Sequence, residues 1–210
     1  MILRRGLCSV FVILISSGAL TAQSNDLLTR IWVGVQQAQA KFTTGCGTMV
    51  ETRTSVLMVK PLVFHGKFCA EGTNRFMLEY FEPNPMHILL NGDSLNITTA
   101  DGKTQRMNVS RDVRRAQSSF GSGSSIDSLK KNFTVSAQEN SRDFAMKLVP
   151  RTKSLRHRLN YLVVKLNKQD FLPRSIEVDG KNGVTSVFTL DMTSGNRNLP
   201  ENTFEGIKTK

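Results

Sequence analysis

The spacing of apolar positions changes along the chain. Between residues 25 and 42 they recur at three- and four-residue steps: Leu27, Ile31, Val35, Ala38 and Phe42 form one stripe, as an amphipathic helix requires. Ser24 or Asn25 is placed to cap its start, with Asp26 in the first turn, and Gly45 and Gly47 mark its exit. From Thr48 the spacing shortens towards extended structure. Strands are predicted over residues 48–59, 63–70, 76–82, 86–90, 94–99 and 104–109. Turn chemistry separates them at Lys60-Pro61, Glu82-Pro83-Asn84-Pro85, Asn91-Gly92 and Asp101-Gly102.

The pattern breaks at residues 111–125. Arg111, Arg114 and Arg115 are followed by Phe120 and a Gly/Ser tract ending at Ser125, a composition that predicts a polar, mobile loop. A short helix is predicted over 126–131, capped by Ser124 or Ser125. Strands resume at 133–137, 144–149, 159–166, 174–178 and 184–192, with Asp179-Gly180 and Asn182-Gly183 as punctuation. The fold class is therefore mainly β with helices: a single antiparallel sheet preceded by one long helix and interrupted by a short one. A sheet with an apolar face must cover it, and two helices are thin cover. The inner face is expected to enclose space rather than a fully packed core.

The first residues carry a different signal. Arg4 and Arg5 precede a short apolar run over residues 7–15, and Leu20-Thr21-Ala22 offers a cleavage site before Gln23. This is the layout of a secretory leader, and the run is short for a membrane span. The expectation is a signal peptide over residues 1–22, one domain over 23–210, and a periplasmic product. Cys8 leaves with the leader. Cys46 and Cys69 remain, and export permits a disulfide between them without compelling one.

The net charge of +11 falls to +9 without Arg4 and Arg5. That balance suits anionic partners such as acidic lipid headgroups or an acidic protein face, and equally a merely soluble basic surface. Nucleic acid is not expected, because the basic residues are scattered rather than interleaved with aromatics. Candidate chemistry is sparse. His65, His87 and His157 have no His, Cys or Glu partner at a metal-binding spacing. The tract at 121–125 lacks both the nucleophile-elbow and the phosphate-loop patterns. No metal, cofactor or catalytic set is expected. What remains is abundant Leu, Ile, Val, Phe and Met, which suits either an ordinary core or a pliable lipophilic surface.

The order of motifs from Gly66 onward resembles the periplasmic outer-membrane lipoprotein carriers of the LolA type. Gly66-Lys-Phe-Cys-Ala70 is followed by Phe76-Met-Leu-Glu-Tyr80, a Pro83/Pro85 turn, Met86-His-Ile-Leu-Leu90, Asn91-Gly92 and Leu95. Phe144 to Pro150, Pro173 to Val178, Gly183 to Met192 and Leu199 to Phe204 continue in the family's order. The resemblance implies an unclosed antiparallel β half-barrel, covered by a helical lid and enclosing an apolar cavity for acyl chains. It places Phe68, Phe76, Leu78, Tyr80, Ile88, Leu90, Leu95, Ile97, Phe144, Met146, Leu148, Phe188 and Leu190 in the cavity wall. Ile31, Trp32, Val35, Ile126 and Leu129 fall in the lid. It further implies a monomeric, non-enzymatic shuttle for acyl chains of lipoproteins or other envelope lipids, with an inner-membrane transporter and an outer-membrane acceptor as partners. A lipid-sensing accessory subunit is the alternative. Where the family's best-known carriers have an Arg-Pro pair that ties the lid, this chain has Gly72 and Thr73.

Overall fold

The computed structural model describes residues 19–196 and 199–204; the charged start and apolar run of the expected leader lie outside them. The described chain forms one eleven-stranded antiparallel sheet in the order β6-β5-β4-β3-β2-β1-β11-β10-β9-β8-β7. The first meander comprises β1 (Thr44–Ser55), β2 (Leu62–Glu71), β3 (Arg75–Glu82), β4 (Met86–Asn91), β5 (Ser94–Thr99) and β6 (Thr104–Asn108). The second comprises β7 (Phe133–Glu139), β8 (Asp143–Pro150), β9 (Leu159–Asn167), β10 (Pro173–Gly180) and β11 (Val184–Gly195). They join where β1 pairs with β11. β6 and β7 are the two free edges, so the sheet is unclosed. The chain between those edges carries α2 (Arg111–Ser118) and α3 (Ile126–Asn132), following the long N-terminal α1 (Ala19–Lys41). A four-residue helix, α4 (Lys153–Arg156), links β8 to β9.

Four local expectations are corrected. Helix α1 already includes Ala19, the first described residue, so Ser24 and Asn25 lie inside it rather than capping it. The upstream Ala19-Leu20-Thr21-Ala22 has no helix breaker to stop it. Gly45 and Gly47 are not a helix exit but part of β1. A Cβ on Gly47 would lie 2.1 Å from the Asp191 carbonyl oxygen and 2.9 Å from the Phe68 ring, so glycine here permits close approach of two strands. At its other end β1 stops at Ser55, and Val56–Val59 form a projecting hairpin tip rather than strand. The fourth correction is the segment predicted as a mobile loop.

That segment is α2 followed by a held turn. Val113, Ala116 and Phe120 all pack into the core, an apolar stripe hidden among the arginines. α1 then clasps the Gly/Ser tract. Trp32 Nε1 donates to the Ser124 carbonyl at 3.1 Å, Gln39 Nε2 to the Phe120 carbonyl at 2.7 Å, and the Gly123 N–H to Gln36 Oε1 at 2.6 Å. Ser125 caps α3 by accepting from the Ser128 N–H at 3.2 Å.

Three clusters hold the molecule together. In the first, Leu28, Ile31 and Trp32 of α1, Ala116 of α2 and Leu129 of α3 pack on Phe133, Phe144, Met146, Leu148 and Leu166 from β7, β8 and β9. The second lies on the first meander and β11 and is described below. The third sits on the sheet's other face. There Cys46 and Cys69, directly opposed in the β1–β2 ladder, form a disulfide with Cα atoms 4.1 Å apart. Met77 and Leu89 extend this patch, and Phe204 and Leu199 cover it.

Candidate functional site

Strand register assembles the apolar surface that the first meander presents on the sheet's inner face. Residues directly opposed in an antiparallel ladder share a face. Phe68 faces Leu78, Leu78 faces Ile88, and Ile88 faces Ile97, making a row across four strands. Phe76, Leu90 and Leu95 form a second row beside it. On the other side Met49 faces Leu190, and Glu51 faces Phe188. Met49, Phe64, Phe68, Leu78 and Tyr80 are buried, while Phe76, Met86, Ile88, Phe188, Leu190 and Met192 pack against them and remain half-buried. No helix residue belongs to this group among the described residues.

The expected cavity wall therefore divides. Phe68, Phe76, Leu78, Tyr80, Ile88, Phe188 and Leu190 come together in this groove; Leu90, Leu95 and Ile97 extend it by register. Phe144, Met146 and Leu148 do not line the same space. They lie under the expected lid residues Ile31, Trp32, Val35, Ile126 and Leu129, in a filled core where Ile31, Leu129 and Leu148 are fully buried. The division follows from chain direction: α2 and α3 run into β7, so they and the preceding helix cover that end of the sheet first.

A charged group lies within the apolar groove. Glu51, 1 % exposed, accepts hydrogen bonds from Arg53 Nε at 2.5 Å, Arg53 Nη2 at 2.9 Å and the Tyr80 hydroxyl at 2.6 Å. The Arg53 guanidinium stacks 4.3 Å above the Phe64 ring, and that ring meets Tyr80 edge-on at 5.7 Å. Burial by itself would push the Glu51 carboxyl up. The hydrogen bonds from Arg53, Tyr80 and Ser186, with the Arg53 charge, outweigh it and hold Glu51 below the usual carboxylate range. Tyr80 is pushed well above its ordinary value by burial first and by the neighbouring carboxylate second. Arg53 is raised, chiefly through its hydrogen bond to Glu51. A bidentate Arg–carboxylate pair of this kind is charge-neutral, oriented and well satisfied.

Sequence reasoning missed Glu51 and Arg53. Their signal was their spacing: Met49, Glu51 and Arg53 alternate in one strand and so share a face, but what they meet there depends on Tyr80, 29 residues away. The groove residues offer apolar contact and one fixed polar island. Among the described residues, no three His, Cys, Asp or Glu side chains converge as a metal site. Gly72, where the family's lid-tying Arg would stand, has φ +58°, a left-handed conformation that a side chain strains.

An unclosed antiparallel sheet with helices over part of its apolar inner face defines a half-barrel of the lipoprotein-carrier type. The family model for "Outer membrane lipoprotein carrier protein LolA" matches residues 51–206, and the chain belongs to that family. Curated proteins yield no match by sequence. Among solved structures, an uncharacterized conserved protein from Thermus thermophilus superposes with a TM-score of 0.50 at 11% identity, covering 85% of this chain and 93% of that one. A DUF1329 family protein from Desulfovibrio piger gives 0.47 at 10% identity, covering 85% and 97%. A LolA superfamily protein from Nitrosomonas europaea gives 0.46 at 12%, covering 85% and 97%. At such identities the likeness concerns the fold alone.

Proposed function

We propose that the protein is a non-enzymatic carrier that takes acyl chains of lipoproteins or other envelope lipids onto its inner face and moves them through the periplasm toward the outer membrane. One observation carries this reading: the groove formed by β1–β5 and β11 is apolar, half-buried and free of helix cover among the described residues. Each methylene placed there from water contributes about 0.8 kcal/mol, so one acyl chain provides ample driving force. Met49, Met86 and Met192 let the surface adapt to chains of different shape. The Glu51–Arg53–Tyr80 island marks the place where a bound molecule's polar end is best tolerated, since an unpaired polar group elsewhere in the groove would be costly. An inner-membrane transporter that loads the chain and an outer-membrane acceptor that receives it are the partners this role needs.

Mass spectrometry of organic extracts from the purified mature protein tests the reading. Acylated species are expected with the wild type and depleted with Ile88→Asp, which should lower the melting temperature by only about a few degrees, because Ile88 is half-buried and a charge there opposes acyl chains. An extract free of acyl species in both proteins, with no uptake of added fatty acid, would refute the carrier role.

A further inference from the structure

The hairpin joining β1 to β2 exposes apolar side chains almost completely: Val56 is 97 %, Leu57 92 % and Val59 98 % exposed, and Leu62 and Val63 at its base are each nearly half exposed. The tip contains no acidic residue, and exposed Lys60 sits within it. Side chains of this kind gain nothing from water, and a soluble domain rarely projects several at one point.

The charges around the tip identify what it meets. Antiparallel order places the β1–β2, β3–β4, β5–β6 and β10–β11 turns at one end of the sheet, together with the β8–β9 connection and the start of β7. That end is basic. The β8–β9 connection exposes Arg151, Lys153, Arg156 and Arg158; Lys131 stands before β7 and Lys181 in the β10–β11 turn. Against these the turns expose Glu82 and Asp101, and Asp101 is already paired with Lys103. The opposite end differs: Glu71 pairs with Arg75, Asp93 with Arg114, and Glu139 with both Arg30 and Lys168. Projecting apolar side chains at the same end as cations that form no ion pair among the described residues fit an anionic bilayer, which offers hydrocarbon behind a negative surface. An acidic protein face would satisfy the cations but would not require a tip of aliphatic residues free of all but one charge.

We propose that the β1–β2 hairpin docks this end of the protein onto an anionic lipid surface, with Val56, Leu57 and Val59 entering the headgroup–acyl boundary and the basic rim holding the bilayer by charge. This goes beyond the carrier role and does not depend on it. Arg53 and Phe64, at the strand ends beneath the hairpin, belong to the groove's charged island, so docking would bring the groove's mouth to the membrane.

Vesicle flotation tests the proposal, using the mature protein with vesicles of phosphatidylcholine alone or mixed with phosphatidylglycerol. The wild type is expected to float with the mixed vesicles at low salt. It should do so at least about tenfold more weakly with pure phosphatidylcholine or at high salt, where charges beyond a few ångströms are screened. The double variant Val56→Asp/Leu57→Asp should lose flotation by about tenfold or more while keeping its melting temperature, since both side chains are solvated in the free protein. Lys153→Gln/Arg156→Gln, away from the tip, should give an intermediate loss. Unchanged uptake of a fatty-acid probe by the tip variant would separate docking from cargo binding. Wild type that fails to float would overturn the proposal, as would equal flotation of wild type and tip variant. A wild-type dimer that the tip substitutions dissolve, without vesicle binding, would assign the hairpin to a second copy instead.

Discussion

The two halves of the sheet's inner face are built from similar residues and are packed differently. Over β7–β9, helices α1, α2 and α3 press onto Phe144, Met146 and Leu148, and Leu129 and Leu148 are fully buried. Over β1–β5 and β11, Phe76, Ile88, Phe188 and Leu190 stay half-buried, with the Glu51–Arg53 pair held among them. The covered half is a core whose packing stabilises the domain. The uncovered half, which has no helix residue in its cluster among the described residues, leaves several apolar side chains half-exposed. Composition does not distinguish them; the helices' position does.

Truncation should separate the halves most sharply. Leu148→Ala leaves a cavity that surrounding helices cannot close, and is expected to cost about 4 kcal/mol. Ile88→Ala removes a side chain already half in water, and should cost about 1 kcal/mol. Urea unfolding of both variants measures the difference, and equal losses would mean that the groove is packed like the core.

Arg53→Met should cost about 3 kcal/mol at neutral pH, because it strands a buried carboxylate. The pH profile carries the sharper signature. With Arg53 present, Glu51 has a folded-state pKa below its ordinary 4.5. Its contribution is then complete above that value and is lost as pH falls through the lower folded one. Without Arg53, burial raises the folded-state pKa above the unfolded value. Acidification should then stabilise the variant and shrink its deficit, a reversal that thermal melts across mildly acidic pH would reveal.

The disulfide lies on the opposite face and belongs to neither half. Replacing Cys46 and Cys69 by Ser opens a link across a sequence separation of 23 and should cost about 2 to 4 kcal/mol. Acyl binding by the folded variant should be unchanged, since the link faces away from the groove. Titration of the double variant with a fatty-acid probe checks this.

Much of the sheet was legible from period-two alternation, and the strands β2 to β5 fall within a residue or two of their expected places. β1 was displaced because Gly45 and Gly47 read as a stop, whereas both lie in the strand and Gly47 admits β11 at close range. Its far end was overrun because Val56, Leu57 and Val59 look like strand residues and are instead projected into solvent. α2 was hidden by its arginines, which mask the Val113–Ala116–Phe120 stripe. In the groove, Phe68, Phe76, Leu78, Tyr80, Ile88, Phe188 and Leu190 were placed by the family resemblance, whereas Met49, Phe64, Met86 and Met192 were not named as members. The groove's division from Phe144, Met146 and Leu148 was not legible, since it depends on where the helices land. Cys46 and Cys69 became a bridge only once the β1–β2 register placed them opposite one another.

The methionines provide the most direct test that the uncovered half is the ligand surface. Met49, Met86 and Met192 lie in the groove, while Met146 is buried under the helices. Methyl NMR of the mature protein with a spin-labelled fatty acid should broaden the first three strongly and leave Met146 sharp. Broadening confined to Met146, or equal at all four or absent from all, would contradict the account.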